Sequence, residues 1–254
     1  MEIIINRFAK IFGTIIKGIS YIFHTFFPKK RFEIPIYSPP LIKSTSKQKI
    51  PKKIWQTNYS NRSTLPIYIN YLFNRLLSLD WEYHYVSTED RDKFIKQYAT
   101  PQEYEAFSKL TDGAAQADFW RLFVLNKEGG VYMDIDAHFV WPLSKIIKED
   151  DNEVILLNKE HYTNYFIASA PNNKYLKKAI DLIVENIQQK KIDGGVYSLT
   201  GPIVLNKAIG DDKVNYRYYK YTCIQGSFTN EYFQYMDKPR GKWTHAKKED
   251  LLKG

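Results

Sequence analysis

The sequence predicts an α/β domain with a mostly parallel central sheet, and three observations support this class. Short apolar runs of strand type alternate with longer stretches of helical periodicity over most of the chain. A length of 254 residues, of which 44% are hydrophobic, suffices for one sizeable core. A helical stretch also passes through Gly129 and Gly130 into a strand ending at Asp134 and Asp136, so polar side chains stand at the carboxyl end of a strand, where α/β sheets bind ligands.

Each element is predicted from its local pattern. The first strand lies near 50–57, and a second runs from Tyr83 to Val86. Helical periodicity predicts helices near 66–79, across 89–110 and 112–128, and near 174–190 and 201–209. The remaining strands are predicted at 131–136 and near 154–157 and 164–169. The chain has no internal repeat, and the tract after residue 211 has no pattern that assigns it.

The N-terminal leader differs from the rest of the chain in charge and pattern. Residues 1–53 hold 11 Lys or Arg and 2 Asp or Glu, whereas residues 54–254 hold 26 of each, so the net charge of +9 is N-terminal. In the first 31 residues, polar side chains recur every three or four positions, which predicts an amphipathic helix. The polar stripe is Arg7, Lys10, Thr14, Lys17, Tyr21 and His24. The apolar surface is Ile4, Ile5, Phe8, Ile11, Phe12, Ile15, Ile16, Ile19, Ile22, Phe23 and Phe26.

We interpret residues 1–31 as a helix lying in the plane of a membrane, with Lys29, Lys30 and Arg31 against anionic head groups. Basic residues inside the apolar stretch disfavour a transmembrane span, and no small-residue cleavage site follows it. The alternative is a helix packed on the body or on a second subunit. Residues 32–49, which are polar, basic and contain prolines, are predicted to be a linker to a domain at 50–254.

The single cysteine bears on the compartment. Cys223 has no partner for an internal disulfide, which favours a reducing environment. Together with the leader, it predicts peripheral attachment at the cytoplasmic face of a membrane. Residues 54–254 have no net formal charge and no nucleic-acid motif, so we expect no nucleic-acid partner.

Asp134 and Asp136 are the candidate metal ligands. Because side chains alternate along a strand, both carboxylates leave its end on the same side and can share one hard cation, Mn²⁺ or Mg²⁺. Such an ion would neutralise charge developing on a diphosphate leaving group. Taken alone, the two residues are also compatible with a solvated turn after a strand.

The surrounding block resembles the sugar-binding DXD region of glycosyltransferase family thirty-two, which includes initiation-type α-1,6-mannosyltransferases and bacterial capsular polysaccharide transferases. The shared pattern is a small residue, Asp, two residues, Arg, an apolar stretch, Gly-Gly, an apolar residue, Tyr and D-x-D. The matching residues are Ala117, Asp118, Arg121, Leu122 to Leu125, Gly129, Gly130, Val131, Tyr132, Asp134 and Asp136. Upstream, residues 50–57 resemble the opening strand of that family, with Trp55 where His is commoner.

The resemblance implies a GT-A type nucleotide-binding fold over roughly residues 50–245 and a site for a nucleoside diphosphate sugar. In related enzymes the Asp accepts from sugar hydroxyls and the Arg donates to sugar or phosphate oxygens. The donor-binding residues it implies are Ile54, Trp55, Gln56, Asp118, Arg121, Gly130, Tyr132, Asp134 and Asn164, and the catalytic set is Asp134, Asp136 and Arg121. The alternatives are a core position for Trp55 and an intrahelical ion pair between Asp118 and Arg121.

The resemblance also implies an acceptor side at Thr200 and Gly201 and a late metal or diphosphate ligand at His245, within Trp243 to His245. The alternatives are a helix N-cap at Thr200 and a surface position for His245. His138, four residues after Asp134, is a further candidate for the metal or acceptor, with a solvent-facing position as the favoured interpretation.

These observations predict a metal-dependent, retaining glycosyltransferase that moves a hexose to a glycan or glycolipid acceptor in surface polysaccharide synthesis. Two other classes remain open, namely a non-catalytic glycan-binding or scaffold subunit of a polysaccharide assembly complex, and a hydrolase with paired carboxylates. Two aspartates two residues apart on one strand hold a metal more readily than they flank a sugar, which disfavours the hydrolase.

Overall fold

A computed structural model describes residues 2–238, 244 and 247–253 of the chain. The α-helices are α1 (Glu2–Phe26), α2 (Leu65–Leu76), α3 (Thr88–Tyr98), α4 (Pro101–Lys109), α5 (Gly113–Glu128), α6 (Leu143–Ile146), α7 (Lys174–Gln188), α8 (Gly195–Leu199), α9 (Pro202–Ile209) and α10 (Glu231–Tyr235). The strands are β1 (Phe32–Glu33), β2 (Tyr37–Ser38), β3 (Lys53–Thr57), β4 (Arg62–Ser63), β5 (Glu82–Val86), β6 (Gly130–Met133), β7 (Ala137–Phe139), β8 (Glu153–Asn158), β9 (His161–Ser169), β10 (Tyr216–Tyr218) and β11 (Cys223–Gln225). Short 3₁₀-helices lie at Tyr219–Tyr221 and Lys248–Asp250.

The central sheet has seven strands in the order β10-β8-β9-β6-β3-β5-β2. β3 is parallel to β5 and β6, and β10 is parallel to β8. In contrast, β9 is antiparallel to both its neighbours, and β2 is antiparallel to β5. The sheet is therefore mixed, with three parallel and three antiparallel pairs of strands, and the prediction of a mostly parallel sheet is not confirmed. Only Lys159 and Glu160 connect β8 to β9, and so short a connection permits a hairpin but not a crossover.

Both faces of the sheet are covered by apolar residues. Neighbouring residues on a strand belong to different clusters, because Trp55 and Tyr132 face one side while Ile54 and Val131 face the other. Helices α3, α4, α5, α7, α8 and α9 cover the Trp55 side, whereas α2 and α6 cover the Ile54 side. Residues 118–125 of α5 are all buried, so this helix lies inside its layer rather than at the surface.

Gly129 and Gly130 turn the chain from α5 into β6. Their φ angles are 66° and 107°, which side-chain-bearing residues rarely adopt. A Cβ on Gly130 would lie 2.5 Å from the carbonyl oxygen of Lys53 on neighbouring β3. The indole N–H of Trp55 donates to the Gly129 oxygen at 2.9 Å and ties the junction to that strand. The two glycines thus allow β6 to lie directly beside β3 with Asp134 beyond its end.

Replacing Gly130 by Ala is expected to lower the free energy of unfolding by about 3 kcal/mol, because the new Cβ would combine a strained φ with the contact to Lys53. Urea unfolding measures the change. Gly113→Ala is the matched control, since a Cβ there meets no atom within 4 Å, and its effect should stay below about 0.5 kcal/mol. Equal stabilities of the two variants would contradict this explanation of the junction.

Helix α1 packs along the body through small and polar residues. Its buried inner side consists of Ala9, Gly13, Ser20 and His24. A Cβ on Gly13 would lie 2.6 Å from the carbonyl oxygen of Ser227, so the helix approaches this part of the chain closely. Lys17 Nζ also donates to the carbonyl oxygen of Gly226 at 3.0 Å. The helix therefore supports the segment that begins at β11.

The outward side of α1 is an apolar stripe. Its residues, each at least half exposed, are Ile4, Phe8, Ile11, Ile15, Ile19, Ile22 and Phe26. Their spacing of three or four residues places them along one face of the helix, and exposed Arg7 and Lys10 follow on the polar flank. Within the described part of the chain, no helix combines the length and apolarity needed to cross a membrane.

Residues 32–49, predicted to be a linker, are attached to the body. β1 pairs with β4, and β2 extends the sheet at β5. Ile34 is fully buried. The prolines that suggested a linker, Pro35, Pro39 and Pro40, lie outside β1 and β2, so their missing N–H groups remove no hydrogen bond from the sheets. Arg31, predicted to face lipid, instead forms an ion pair with Asp237, with Nη2 donating to Oδ1 at 2.6 Å.

Candidate functional site

A cavity of about 760 Å³ opens beyond the carboxyl ends of β3 and β6. Its walls come from residues after those strands, the first turns of α3 and α5, the β8–β9 hairpin, the α8–α9 connection and the region around α10. This volume suits a bound small molecule, and the position is the one at which α/β sheets bind ligands.

Arg121 on α5 joins three parts of the site. Its Nη2 lies 3.1 Å from Asp118 Oδ1 and 3.3 Å from Asp134 Oδ1. Its Nη1 donates to the carbonyl oxygen of Asn164 on β9 at 2.7 Å. The guanidinium also lies over the Tyr132 ring, 4.4 Å from its centroid. Asp118 and Arg121 therefore form an intrahelical ion pair, and both side chains also line the cavity.

Asp118 is held by neutral donors as well. Asn164 Nδ2 donates to its Oδ1 at 3.0 Å, and Thr200 Oγ1 donates to its Oδ2 at 3.0 Å. Burial raises the pKa of Asp118 to about 6 although Arg121 acts in the opposite direction. Thr200 is therefore a partner of Asp118 and not the N-cap of α9, a position that Gly201 takes.

The carboxylates of Asp134 and Asp136 converge. A single NH₂ group, Nε2 of Gln225, donates to Asp134 Oδ2 at 3.1 Å and to Asp136 Oδ1 at 3.2 Å. Tyr132 OH donates to Asp134 Oδ1 at 2.7 Å, and Gln234 Nε2 donates to Asp136 Oδ2 at 3.1 Å. A donor with partial positive charge therefore reaches both carboxylates, as a shared cation would.

The electrostatics of this pair suit a divalent cation. Burial, followed by the neighbouring Asp134, raises the pKa of Asp136 to about 6, because two close carboxylates resist ionising together. In the part of the chain that the structure describes, no three His, Cys, Asp or Glu side chains converge. Two carboxylates remain, and Mg²⁺-type sites commonly combine one or two carboxylates with substrate oxygens. The residues present fit such an ion.

The three residues predicted from β3 do not line the cavity. Ile54 and Trp55 are in the core, the latter with its indole bonded at the glycine junction, so the alternative interpretation of Trp55 describes its position. Gln56 lies behind the site, where Nε2 donates to the carbonyl oxygen of Asp134 at 3.0 Å. The wall on this side begins at Thr57. Gly130, at the start of β6, likewise acts at the junction rather than in the cavity.

His138 lies in the core and not in solvent. Its ring nitrogens are 3.0 Å from the carbonyl oxygen of Phe139 and 2.8 Å from Ser227 Oγ, and burial lowers its pKa. Strand alternation would place His138 on the same side as Asp134 and Asp136, but a turn at Ile135 and Asp136, closed by a hydrogen bond from Ala137 N to the carbonyl oxygen of Asp134 at 3.0 Å, interrupts the strand. β7 then pairs with β11, and His138 contacts Ser227 instead. The predicted ligand His245 and its neighbour Trp243 lie outside the described residues.

The polar residues of the cavity wall that were not anticipated from sequence include Arg91, Gln225, Gln234 and Lys238. Gln225 reaches the site because β11 pairs antiparallel with β7, which places it opposite Ala137. Gln234 lies on α10, and Lys238 lies three residues after the end of that helix. These residues lie far along the chain from Asp134, and no local motif marks them. Strand β11 has only three residues, which is too few for an alternating pattern to reveal it in the sequence.

Sequence comparison identifies the central block. Residues 66–153 match the family described as "Glycosyltransferase sugar-binding region containing DXD motif". The match spans about a third of the chain and includes Asp118, Arg121, Asp134 and Asp136. This region is therefore a glycosyltransferase-like DXD sugar-binding region. No curated protein matches the chain in sequence.

Among solved structures, "PaToxG Glycosyltransferase" is similar with a TM-score of 0.49 and 20% identity, covering 63% of this chain and 69% of that one. The ligand-free glycosyltransferase domain from the YGT toxin gives a TM-score of 0.40 at 14% identity over 57% of this chain. The UDP-bound form of that domain gives 0.40 at 13% over 58%. The matched part spans 54% of each YGT domain.

Proposed function

We propose that this chain is a metal-dependent, retaining glycosyltransferase that moves a hexose from a nucleoside diphosphate sugar to a glycan or glycolipid acceptor, in the synthesis of a surface polysaccharide. The observation that carries the proposal is the convergence of Asp134 and Asp136 on one donor group, beside the buried pair of Asp118 and Arg121, in a cavity of about 760 Å³. The DXD family match covers all four residues.

In this proposal Asp134 and Asp136 hold Mn²⁺ or Mg²⁺, which when bound supplies positive charge for the diphosphate leaving group. Asp118 accepts hydrogen bonds from sugar hydroxyls, and Arg121 donates to sugar or phosphate oxygens while its ion pairs fix its position. Tyr132 and Gln56 hold the side chain and the backbone of Asp134. These contacts orient the site before the donor binds.

The acceptor enters, in this proposal, beside the connection between α8 and α9. Gly201 and Tyr197 belong to this wall, and Tyr197 is 51% exposed, so its ring is available to a sugar. The Gly201 backbone comes close to Tyr197, since a Cβ on Gly201 would lie 2.8 Å from the carbonyl oxygen of Tyr197.

The test is release of nucleoside diphosphate from a panel of UDP- and GDP-sugars by the full chain, with a glycolipid extract as acceptor, in Mn²⁺ and in EDTA. We expect turnover of one donor in Mn²⁺ and none in EDTA. Donor binding without turnover on any acceptor would support the scaffold alternative. Absence of donor binding would overturn the proposal.

Metal affinity is expected to fall below pH 6. The pKa of Asp136 is raised to about 6, so acidification protonates this carboxylate before an ordinary one, and the proton competes with the ion. Titration calorimetry with Mn²⁺ at pH 7 and pH 5 should show about tenfold weaker binding at pH 5. Equal affinities at the two pH values would contradict a role for Asp136 as ligand.

We propose further that α1 attaches the chain to the cytoplasmic face of a membrane as a peripheral protein. The support is the apolar stripe of α1 defined above, which no described residue covers, together with exposed basic residues near it. Those residues are Arg7, Lys10, Lys29 and Lys30. An interfacial helix buries its apolar face among acyl chains while basic side chains meet anionic head groups.

Ile15→Glu with Ile22→Glu is expected to reduce binding to vesicles containing anionic lipid at least tenfold, because both side chains point outward and would carry charge into the acyl region. Co-sedimentation measures the effect. Leu41→Glu with Ile42→Glu is the matched control, since these apolar residues are similarly exposed but belong to the segment between β2 and β3 and not to α1. Undiminished binding by the α1 variant would refute attachment through this face.

A further inference from the structure

Two cationic side chains of the cavity wall, those of Arg91 and Lys238, form no ion pair with any described residue. Arg91, in the first turns of α3, is 3% exposed. Its Nη1 donates to the carbonyl oxygen of Gly113 at 3.2 Å and its Nη2 to Thr88 Oγ1 at 3.1 Å, both neutral acceptors. Its Nε–H meets no hydrogen-bond acceptor in the described part of the chain. Buried guanidinium groups normally meet a carboxylate or phosphate, so this one has donors to spare.

Lys238 follows α10 and lies near Arg91. Among the described residues its ammonium makes no ion pair and contacts the ring of Tyr235, with Nζ 4.4 Å from the centroid. Burial and the charge of Arg91 lower the pKa of Lys238 to about 8, although the carboxylates of Asp134, Asp136 and Asp112 act in the opposite direction. Burial likewise lowers the pKa of Arg91 to about 10. Holding two like charges together costs free energy unless an anion binds between or beside them.

Once the proposed ion is bound, the positive and negative charges in the rest of the site balance. The negative charges are those of Asp118, Asp134 and Asp136, and the positive charges are those of Arg121 and a divalent ion. Asp112, also in the wall, accepts from the N–H groups at the start of α5, where the helix dipole favours a negative charge. The remaining acidic residue of the wall, Glu231, is exposed.

A nucleoside diphosphate sugar adds one negative charge on each of its phosphates. The ion and Arg121 contact phosphate oxygens in the proposed function, but the balanced set above has no net positive charge to offset the two phosphates. Arg91 and Lys238 offer two further positive charges in the same cavity. We propose that Arg91 and Lys238 bind the diphosphate of the donor. This assignment rests on the proposed function and names the residues that recognise the anionic part of the donor.

The probe for this subsite is inorganic pyrophosphate, titrated calorimetrically into the full chain in EDTA. The comparison is between the wild type, Arg91→Gln, Lys238→Gln and the control Lys96→Gln, which removes an exposed charge from the same helix as Arg91. We expect each cavity variant to bind pyrophosphate at least about tenfold more weakly, and the control to match the wild type. If Arg91→Gln does not fold, Arg91→Lys replaces it in the comparison. Because the lysine keeps the positive charge but not the planar guanidinium, this variant should retain part of the affinity for pyrophosphate.

Unchanged pyrophosphate affinity in both cavity variants would overturn the assignment, as would absence of binding by the wild type. Because the titration requires neither metal nor turnover, it gives an answer even if the chain transfers no sugar. A second arm measures the KM for the donor and for a phosphate-bearing lipid acceptor. A raised KM for the donor alone is expected, whereas a raised KM for the acceptor alone would assign the pair to the acceptor and overturn the inference.

Discussion

Asp136→Asn is expected to abolish metal-dependent transfer, with turnover falling at least about 10³-fold, while the protein remains folded. The Asn side chain cannot supply the second negative charge to a divalent ion, so stabilisation of the leaving group is lost. Release of nucleoside diphosphate at saturating Mn²⁺ measures the effect.

The same substitution should not lower the melting temperature of the metal-free protein. The pKa of Asp136 is about 6, above that of an exposed carboxyl. The free energy of unfolding therefore falls as the pH rises toward 6, and at neutral pH the ionised carboxylate opposes folding. A neutral Asn removes it. Asp193→Asn, at an exposed position, is the control and should change neither activity nor melting temperature. An Asp136→Asn variant that keeps metal-dependent turnover would show that Asp136 is not a required ligand of the ion.

Arg121→Lys is expected to lower kcat/KM by about 10²-fold or more. A lysine keeps the charge but has no planar fork, so it cannot contact Asp118, Asp134 and the Asn164 carbonyl together as the guanidinium does. The donor would then meet a site whose elements are less well fixed. Initial rates over a range of donor concentrations separate the loss into kcat and KM.

Folding is checked by thermal denaturation, because a buried ion pair that loses one partner also loses stability. Arg62→Lys, an exposed arginine on β4, is the matched control. A variant that folds and retains wild-type kcat/KM would show that Arg121 has a structural role only. The activity of Arg121→Lys should also exceed that of Arg121→Ala, since the charge beside Asp134 is preserved.

The centre of the site could be predicted from sequence because its parts are consecutive. One helix, two glycines and one strand carry Asp118, Arg121, Asp134 and Asp136 within a short span, and local periodicity fixes their relative positions. The unusual φ angles at Gly129 and Gly130 are equally local, since only glycine adopts them without strain.

The remainder depends on contacts between distant parts of the chain. Gln225 and Gln234 reach the aspartates through a three-residue strand and a five-residue helix, both too short for periodicity to reveal. In the sequence, Arg91 cannot be told from an ordinary exposed arginine of a helix. It is buried only in the folded chain, where α5 and the residues after α10 enclose it. The strand directions were also not predicted correctly, because the antiparallel pairing of β8 and β9 follows from the short connection between them, and the sequence did not show how short that connection is.

The contact between α1 and residues 226–228 bears on how a soluble form of the protein should be prepared. Deleting the first 31 residues would uncover Phe228, which packs edge to face against Phe12, and would remove the lysine that holds the Gly226 carbonyl. The strand that presents Gln225 to the aspartates ends immediately before this point. Shortening the chain would thus loosen one wall of the cavity, whereas replacing the outward isoleucines with polar residues would reduce the exposed apolar surface and keep that wall in place.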